Sequence, residues 1–237
     1  MWSMQKSKKF LSPTISRKFI LKKYVLQAMG PLRGKRVIEF GCGNGHWLRQ
    51  FHAAGGQCTG IDISKDQIEL AKKLSPKGIV YLTGDVAALG PRDKFDVVYV
   101  DHVLSETKSL EKAIHILRRA HAILKKEGRL VISEMHPSVA HFPSGAHVGK
   151  DFFYFKSGAP VAFKVKQISG HRILIRDYHW TMHDFSSALK KSGFLIEEIL
   201  EPRAPKAVSD PYTKSRYGFP THILIKAIPR GNFKPKI

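Results

Sequence analysis

Arg36-Val37-Ile38-Glu39-Phe40-Gly41-Cys42-Gly43-Asn44-Gly45-His46 decides how the rest of the chain is read. A short run of β-forming residues passes directly into a loop with glycine at every second position, and a helical pattern follows over residues 46–54. Strand, glycine turn and helix make a nucleotide-type site. Glycine lets the backbone approach a ligand closely, and the helix amino terminus offers amides that the helix itself does not use. A dinucleotide fingerprint G-x-G-x-x-G starting at Gly41 requires glycine at position 46, where the chain has His46. Glu39 instead stands two residues ahead of Gly41. A carboxylate there repels a pyrophosphate and attracts a cationic amine, so its sign points to an amino-acid nucleoside.

Outward from this stretch, apolar runs alternate with helical patterns as in a βαβ chain, with no internal repeat. Residues 15–29 read as a basic amphipathic helix that Gly30-Pro31 stops. Cys58-Thr59-Gly60-Ile61-Asp62 is a second strand, and Ser64-Lys65-Asp66-Gln67 has the form of a capping box opening a helix to about residue 74. Residues 79–83 are a third strand; residues 95–100, apolar like a strand buried on both faces, are a fourth. A helix over 110–124 leads through Gly128 to strand five over 129–134. Thr181-Met182-His183-Asp184 caps a helix to about residue 192, followed by strands over 194–200 and 221–228. Residues 136–180 break the rhythm. Two alternating runs, 161–167 and 172–178, are joined through Ser169-Gly170 and read as a β-hairpin insert. Ligands in open α/β sheets bind outside the carboxyl ends of the strands, which makes the insert a candidate substrate lid.

The 237 residues suit one globular domain, or one domain with an insert, and 43% hydrophobic content is too high for disorder. No apolar run approaches the ~18–20 residues that span a bilayer, so the chain reads as soluble with no transmembrane segment. Two cysteines, Cys42 and Cys58, make no disulfide framework, and a secretory signal is broken at Lys22-Lys23. A reducing, cytoplasmic setting is expected. The formal net charge is +21, and residues 1–38 hold ten Lys and Arg with no acid. Such a leader suits nucleic acid, an anionic membrane, organelle transit or simply a basic proteome; charge speaks to partners, not to reaction.

Val37-Ile38-Glu39-Phe40-Gly41-Cys42-Gly43-Asn44-Gly45 resembles the first motif of the class I S-adenosylmethionine-dependent methyltransferases, [V/I/L]-[I/L]-[D/E]-x-G-x-G-x-G. The resemblance recurs in order: Gly60-Ile61-Asp62-Ile63-Ser64 closing strand two, Gly84-Asp85-Val86 after strand three, and Phe95-Asp96-Val97-Val98 in strand four. It continues with Leu124-Lys125-Lys126-Glu127-Gly128-Arg129-Leu130, then Tyr178-His179-Trp180 leading to Ser192-Gly193-Phe194, covering about residues 36–228 and looking most like the small-molecule branch. The implied fold is α/β: a Rossmann-like, doubly wound, mostly parallel seven-stranded sheet with an antiparallel last strand and a β-hairpin insert after strand five. Residues 1–34 are then a basic N-terminal helical segment, and residues 35–237 a methyltransferase domain with its substrate-side insert at about 136–180.

The resemblance also implies S-adenosylmethionine as cofactor, leaving as S-adenosylhomocysteine. On the matching positions, Gly41, Cys42, Gly43 and Gly45 form the cofactor loop, and Glu39 holds the ammonium directly or through water. Asp62, followed by Ile63, accepts both ribose hydroxyls; Asp85 with the Val86 amide reads the adenine edge; Asp101-His102 line the pocket by main chain.

Methyl transfer from a sulfonium is an in-line displacement, in which the protein aligns the nucleophile and removes a proton where the acceptor requires it. Candidate bases are His102, His136 and His179, and candidate pocket walls are Tyr154, Tyr178, Trp180 and Tyr217. Cytosine C5 methylation is excluded, because it needs a thiolate near strand four. The Asn/Asp-Pro-Pro-aromatic motif shared by exocyclic-amine methylases has no counterpart at Asp101-His102-Val103-Leu104, and Asp210-Pro211-Tyr212 comes too late. The histidine-rich stretch from His136 to His147 matches no zinc spacing, so no metal is expected. The expected activity is methyl transfer to O or N of a small molecule or of an acceptor on an acidic carrier. The alternatives are RNA or ribosome methylation using the basic leader, and a non-catalytic cofactor-binding module.

Overall fold

The computed structural model describes residues 13–90, 94–138, 146–148, 151–204 and 218–231. The strands in chain order are β1 (Arg36–Phe40), β2 (Gln57–Asp62), β3 (Val80–Thr83), β4 (Phe95–Asp101), β5 (Leu124–Met135), β6 (Ala146–Val148), β7 (Pro160–Lys166), β8 (Arg172–Tyr178), β9 (Phe194–Leu200) and β10 (His222–Pro229). Seven of them form one sheet in the order β3-β2-β1-β4-β5-β10-β9. The first five pair in parallel, while β10 runs antiparallel to both β5 and β9. This is the expected mostly parallel sheet with an antiparallel last strand. The order reverses between β1 and β4, so a crevice opens at their carboxyl ends, the usual binding edge of such sheets.

Helices cover both faces because the central strands are apolar on both. Val37, Val97, Tyr99 and Val131 enter one cluster with residues of α1 (Lys22–Met29), α2 (His46–Ala53) and α3 (Lys65–Leu74). Their neighbours Ile38, Val98, Val100 and Leu130 enter the other, with α4 (Leu110–Ile123) and α5 (Met182–Lys191). Alternate residues of one strand thus serve opposite faces, the period of two that a doubly covered sheet requires.

Three local features differ from expectation. The basic helix over 15–29 begins as a π-helical turn, Arg17–Leu21, before α1. A π turn takes in extra residues, and here adjacent Ile20 and Leu21 are both buried above Val25, Ala28 and Met29. From residue 13 on, the N-terminal segment is therefore packed onto the sheet; residues 1–12, with Lys6, Lys8 and Lys9, lie outside the described residues. Strand β5 starts five residues early, at Leu124, because a bulge opposite β4 carries Lys125 to Gly128. Lys125 Nζ holds that bulge 2.9 Å from Asp96 Oδ1. The insert contains the expected hairpin, β7 with β8, plus a third antiparallel strand, β6, too short to read in sequence. Residues 139–145 and 149–150 of the insert lie outside the described residues.

The insert is tied to the binding edge. Tyr178 N donates to Ser105 O at 2.7 Å, which fixes the end of β8 beside the loop that follows β4. Ile168 N donates to Pro13 O at 3.1 Å, so hairpin and N-terminal segment meet. Among the described residues no helix is long and apolar enough to cross a membrane.

Candidate active site

Gly41, Gly43 and Gly45 all adopt left-handed backbone, with φ of 64°, 49° and 75°, a region that favours glycine. A Cβ on Gly41 would come within 2.5 Å of Val103 Cγ2, so the loop lies tight against the segment after β4. Gly45 is the N-cap of α2 and supplies no capping side chain, which leaves first-turn amides for a ligand. Cys42 is buried under the loop, and burial, then Glu39 and Asp62, push its thiol up so that it stays protonated.

Asp62 closes β2 and braces the loop. Its Oδ2 accepts from Gly43 N and its Oδ1 from Ser64 N, each at 2.8 Å. Each carboxylate oxygen keeps a second acceptor site. Ile63 beside it is 72% exposed, a large apolar side chain facing outward at the binding edge. Asp85 is exposed, and its Oδ1 accepts from Ala87 N at 2.8 Å, capping a 3-10 turn that begins at half-buried Val86.

Glu39 is 2% exposed, and its Oε2 is buried with no hydrogen-bond partner. Burial, and then Asp101, raise its carboxyl well above the usual range against the opposing pull of Arg17. An orphaned acid of this kind calls for a cationic or hydrogen-donating ligand.

Asp101 does more than line the crevice by main chain. Its Oδ2 accepts from Arg17 Nη2 at 2.6 Å and from Trp47 Nε1 at 3.0 Å, and its Oδ1 from Tyr99 OH at 3.3 Å. Although burial works the other way, the Arg17 guanidinium, His102 and the Trp47 donor hold Asp101 down at about 2. Sequence reasoning missed Arg17, because its partner is 84 residues away and no local pattern links them.

The three candidate bases separate. His102 has φ 54° and is the one non-glycine with positive φ among the described residues. Its ring lies 3.9 Å from Asp101 Oδ1 and 3.9 Å from Glu134 Oε2, and burial keeps it neutral against the pull of Asp101. His136 has Nε2 3.0 Å from Glu201 Oε1 and Nδ1 2.6 Å from Ser138 Oγ, so both nitrogens are engaged. His179 donates from Nε2 to Tyr154 O at 2.7 Å, edge-on to the rings of Phe152 and Tyr154.

A pocket enclosing about 290 Å³ lies under the insert, walled by Phe163, Tyr178, His179, Trp180 and Phe185. Trp180 is set by its indole N–H on Leu104 O at 3.2 Å, and Tyr154 accepts from Met182 N at 3.2 Å. Tyr217 and the central part of the stretch from His136 to His147 lie outside the described residues.

Behind this pocket stand two acids that sequence reasoning passed over, Glu134 and Asp177. Glu134 accepts from Leu104 N at 2.8 Å and from Ser105 Oγ at 2.6 Å, and burial raises it to about 8. The signal for it was an acid at the end of the apolar run Leu130-Val131-Ile132-Ser133. A carboxyl whose folded value exceeds its unfolded one stabilises below the unfolded value and loses that contribution as pH rises through the folded value. Wild-type stability therefore falls between 4.5 and about 8 through Glu134. Glu134→Gln removes this slope. Urea unfolding across that window should show the variant gaining about 2–4 kcal/mol on wild type; parallel curves would contradict it.

A family model described as a methyltransferase domain matches residues 16–199. The chain belongs to this methyltransferase-domain family. Among curated relatives, the family member is 30% identical over 113 residues to the ubiquinone biosynthesis O-methyltransferase of Bradyrhizobium sp. (strain ORS 278). That match covers 46% of the chain and 44% of the relative, so the chain spans less than half the length of the relative. Among solved structures, an S-adenosylmethionine-dependent methyltransferase from Mesorhizobium loti superposes with TM-score 0.67 at 23% identity, covering 88% of this chain and 97% of that one. Magnesium protoporphyrin IX methyltransferase from Synechocystis PCC 6803, with bound S-adenosylhomocysteine, gives TM-score 0.56 at 16% identity, covering 95% and 82%. These two share the fold. Family and fold together are those of class I methyltransferases, whose cofactor is S-adenosylmethionine.

Proposed function

We propose that the protein transfers the methyl group of S-adenosylmethionine to an oxygen of a small molecule. The observation that carries this is the buried, unpartnered Glu39 carboxylate beside a glycine loop whose three glycines all have left-handed backbone. The donor set fits the cofactor. Glu39 meets an ammonium, the loop and α2 amides meet a carboxylate or hydroxyls, and Asp62 meets the ribose with the acceptor sites left by Gly43 and Ser64. Asp85 and the Val86 amide take the adenine edge, with exposed Ile63 against the base. The similarity to a ubiquinone biosynthesis O-methyltransferase supports oxygen as the accepting atom.

Bound S-adenosylmethionine supplies a methyl carbon on a positively charged sulfur, open to in-line displacement. The protein holds the acceptor in line and keeps water out. The hairpin, tied to Ser105 through Tyr178, closes the acceptor side. Arg17, held on Asp101, anchors the N-terminal segment over the crevice.

Incubating the protein with methyl-labelled S-adenosylmethionine and fractionated cell extract tests this. Label entering a small-molecule fraction as a methyl ether is the expected result. Label in RNA would replace the acceptor assignment, and label in no fraction would contradict methyl transfer.

A further inference from the structure

Asp177 is the least satisfied polar group in the acceptor pocket. It lies near the end of β8, is 3% exposed, and neither carboxylate oxygen has a hydrogen-bond partner. It lines the pocket with Ser105, His136, His179 and the aromatic walls. The neighbouring Ser105 hydroxyl is already given to Glu134 Oε2 at 2.6 Å. The other titratable groups around it are Glu134 on β5, His136 after β5, and Tyr178 and His179 on its own segment. The last two candidate bases serve poorly, because His136 is engaged at both ring nitrogens and His179 donates to Tyr154 O. A buried carboxylate without donors in an aromatic-walled pocket needs a ligand that brings an O–H.

We propose that Asp177 takes the proton of the acceptor hydroxyl and that the acceptor is a phenol seated in this pocket. This rests on the O-methylation reading above. The acceptor O–H proton passes to an Asp177 oxygen, the acceptor oxygen forms the new bond to the methyl carbon, and the carbon–sulfur bond breaks with its electron pair staying on sulfur. The ether and S-adenosylhomocysteine leave, and Asp177 returns the proton to solvent. Burial raises Asp177 to about 7, and a base near neutrality ionises a phenol far better than an ordinary carboxylate does. An alcohol is too weak an acid for such a base, and a carboxylate acceptor has no proton to lose.

The test compares wild type with Asp177→Asn on phenol and on 4-nitrophenol, which is already ionised in mildly alkaline buffer. With phenol the variant should lose about 100-fold or more in kcat, the range of a positioned general base. With 4-nitrophenolate it should match or exceed wild type. Equal losses on both would make Asp177 structural and overturn the proposal. A second readout needs no turnover: calorimetry of phenol binding with S-adenosylhomocysteine present, in two buffers of different ionisation heat near neutral pH. Wild type should release about half a proton per phenol bound, since bound phenol selects the ionised carboxylate. No release by wild type overturns the proposal even if the variant fails to fold. If wild type methylates other small molecules but neither phenol, the phenol assignment fails; if it methylates no small molecule, the reading beneath it fails.

Discussion

Asp62→Ala should weaken S-adenosylmethionine binding by about 100-fold or more, close to 3 kcal/mol. Two losses add. The ribose hydroxyls lose a charged acceptor, worth about 1.5–3 kcal/mol for each such hydrogen bond. The glycine loop also loses its brace, because the same carboxylate ties Gly43 N and Ser64 N at 2.8 Å each. Asp62→Asn separates the two effects, since an amide keeps one acceptor oxygen and turns the other into a donor. It should bind between wild type and the alanine variant. Calorimetric titration of the three proteins checks the order, and unchanged affinity in Asp62→Ala would mean that the crevice at β1 and β2 is not the cofactor site.

Arg17→Ala should cost about 3 kcal/mol of folding stability, toward the lower end for breaking a buried ion pair. Asp101 is 2% exposed at the side chain while Arg17 is 27% exposed, so the uncompensated charge left behind is the more deeply buried of the two. Trp47 Nε1 and Tyr99 OH still donate to it, which keeps the loss from being larger. The pH dependence carries the signature. Asp101 has a folded value below its unfolded one, so its contribution is present above the ordinary value of 3.8 and is lost as pH falls to about 2. The gap between wild type and Arg17→Ala should therefore narrow through that acid window. Urea unfolding at several pH values measures it; a gap independent of pH would assign the loss to helix packing rather than to the pair.

Features that depend on neighbouring residues were legible in the sequence. The Ser64 hydroxyl accepts from Gln67 N as the S-x-x-Q pattern requires, and Thr181 with Asp184 forms a full capping box. The alternation of Val37 and Ile38 between two cores follows from an apolar run ending in glycine. The hairpin was visible because both of its strands are long enough to show a period of two. What stayed hidden depends on partners remote in the chain. Arg17 reaches Asp101 across 84 residues, and Ser105 meets Glu134 across 29. The roles of Glu134 and Asp177 come from burial that only the assembled sheet and insert create, since an acid in a β pattern reads by itself as a solvent-facing position. Histidine drew attention for its ordinary titration range, yet the raised groups beside the pocket are carboxylates.

The central claim is that the crevice at the carboxyl ends of β1, β2 and β4 holds a sulfur nucleoside carrying an amino acid. Calorimetric titration of the wild-type protein with S-adenosylhomocysteine, and with NAD as the control, tests it most directly. Saturable one-to-one binding of S-adenosylhomocysteine with no heat from NAD is the predicted result. Binding of NAD in its place, or of neither, would contradict the claim.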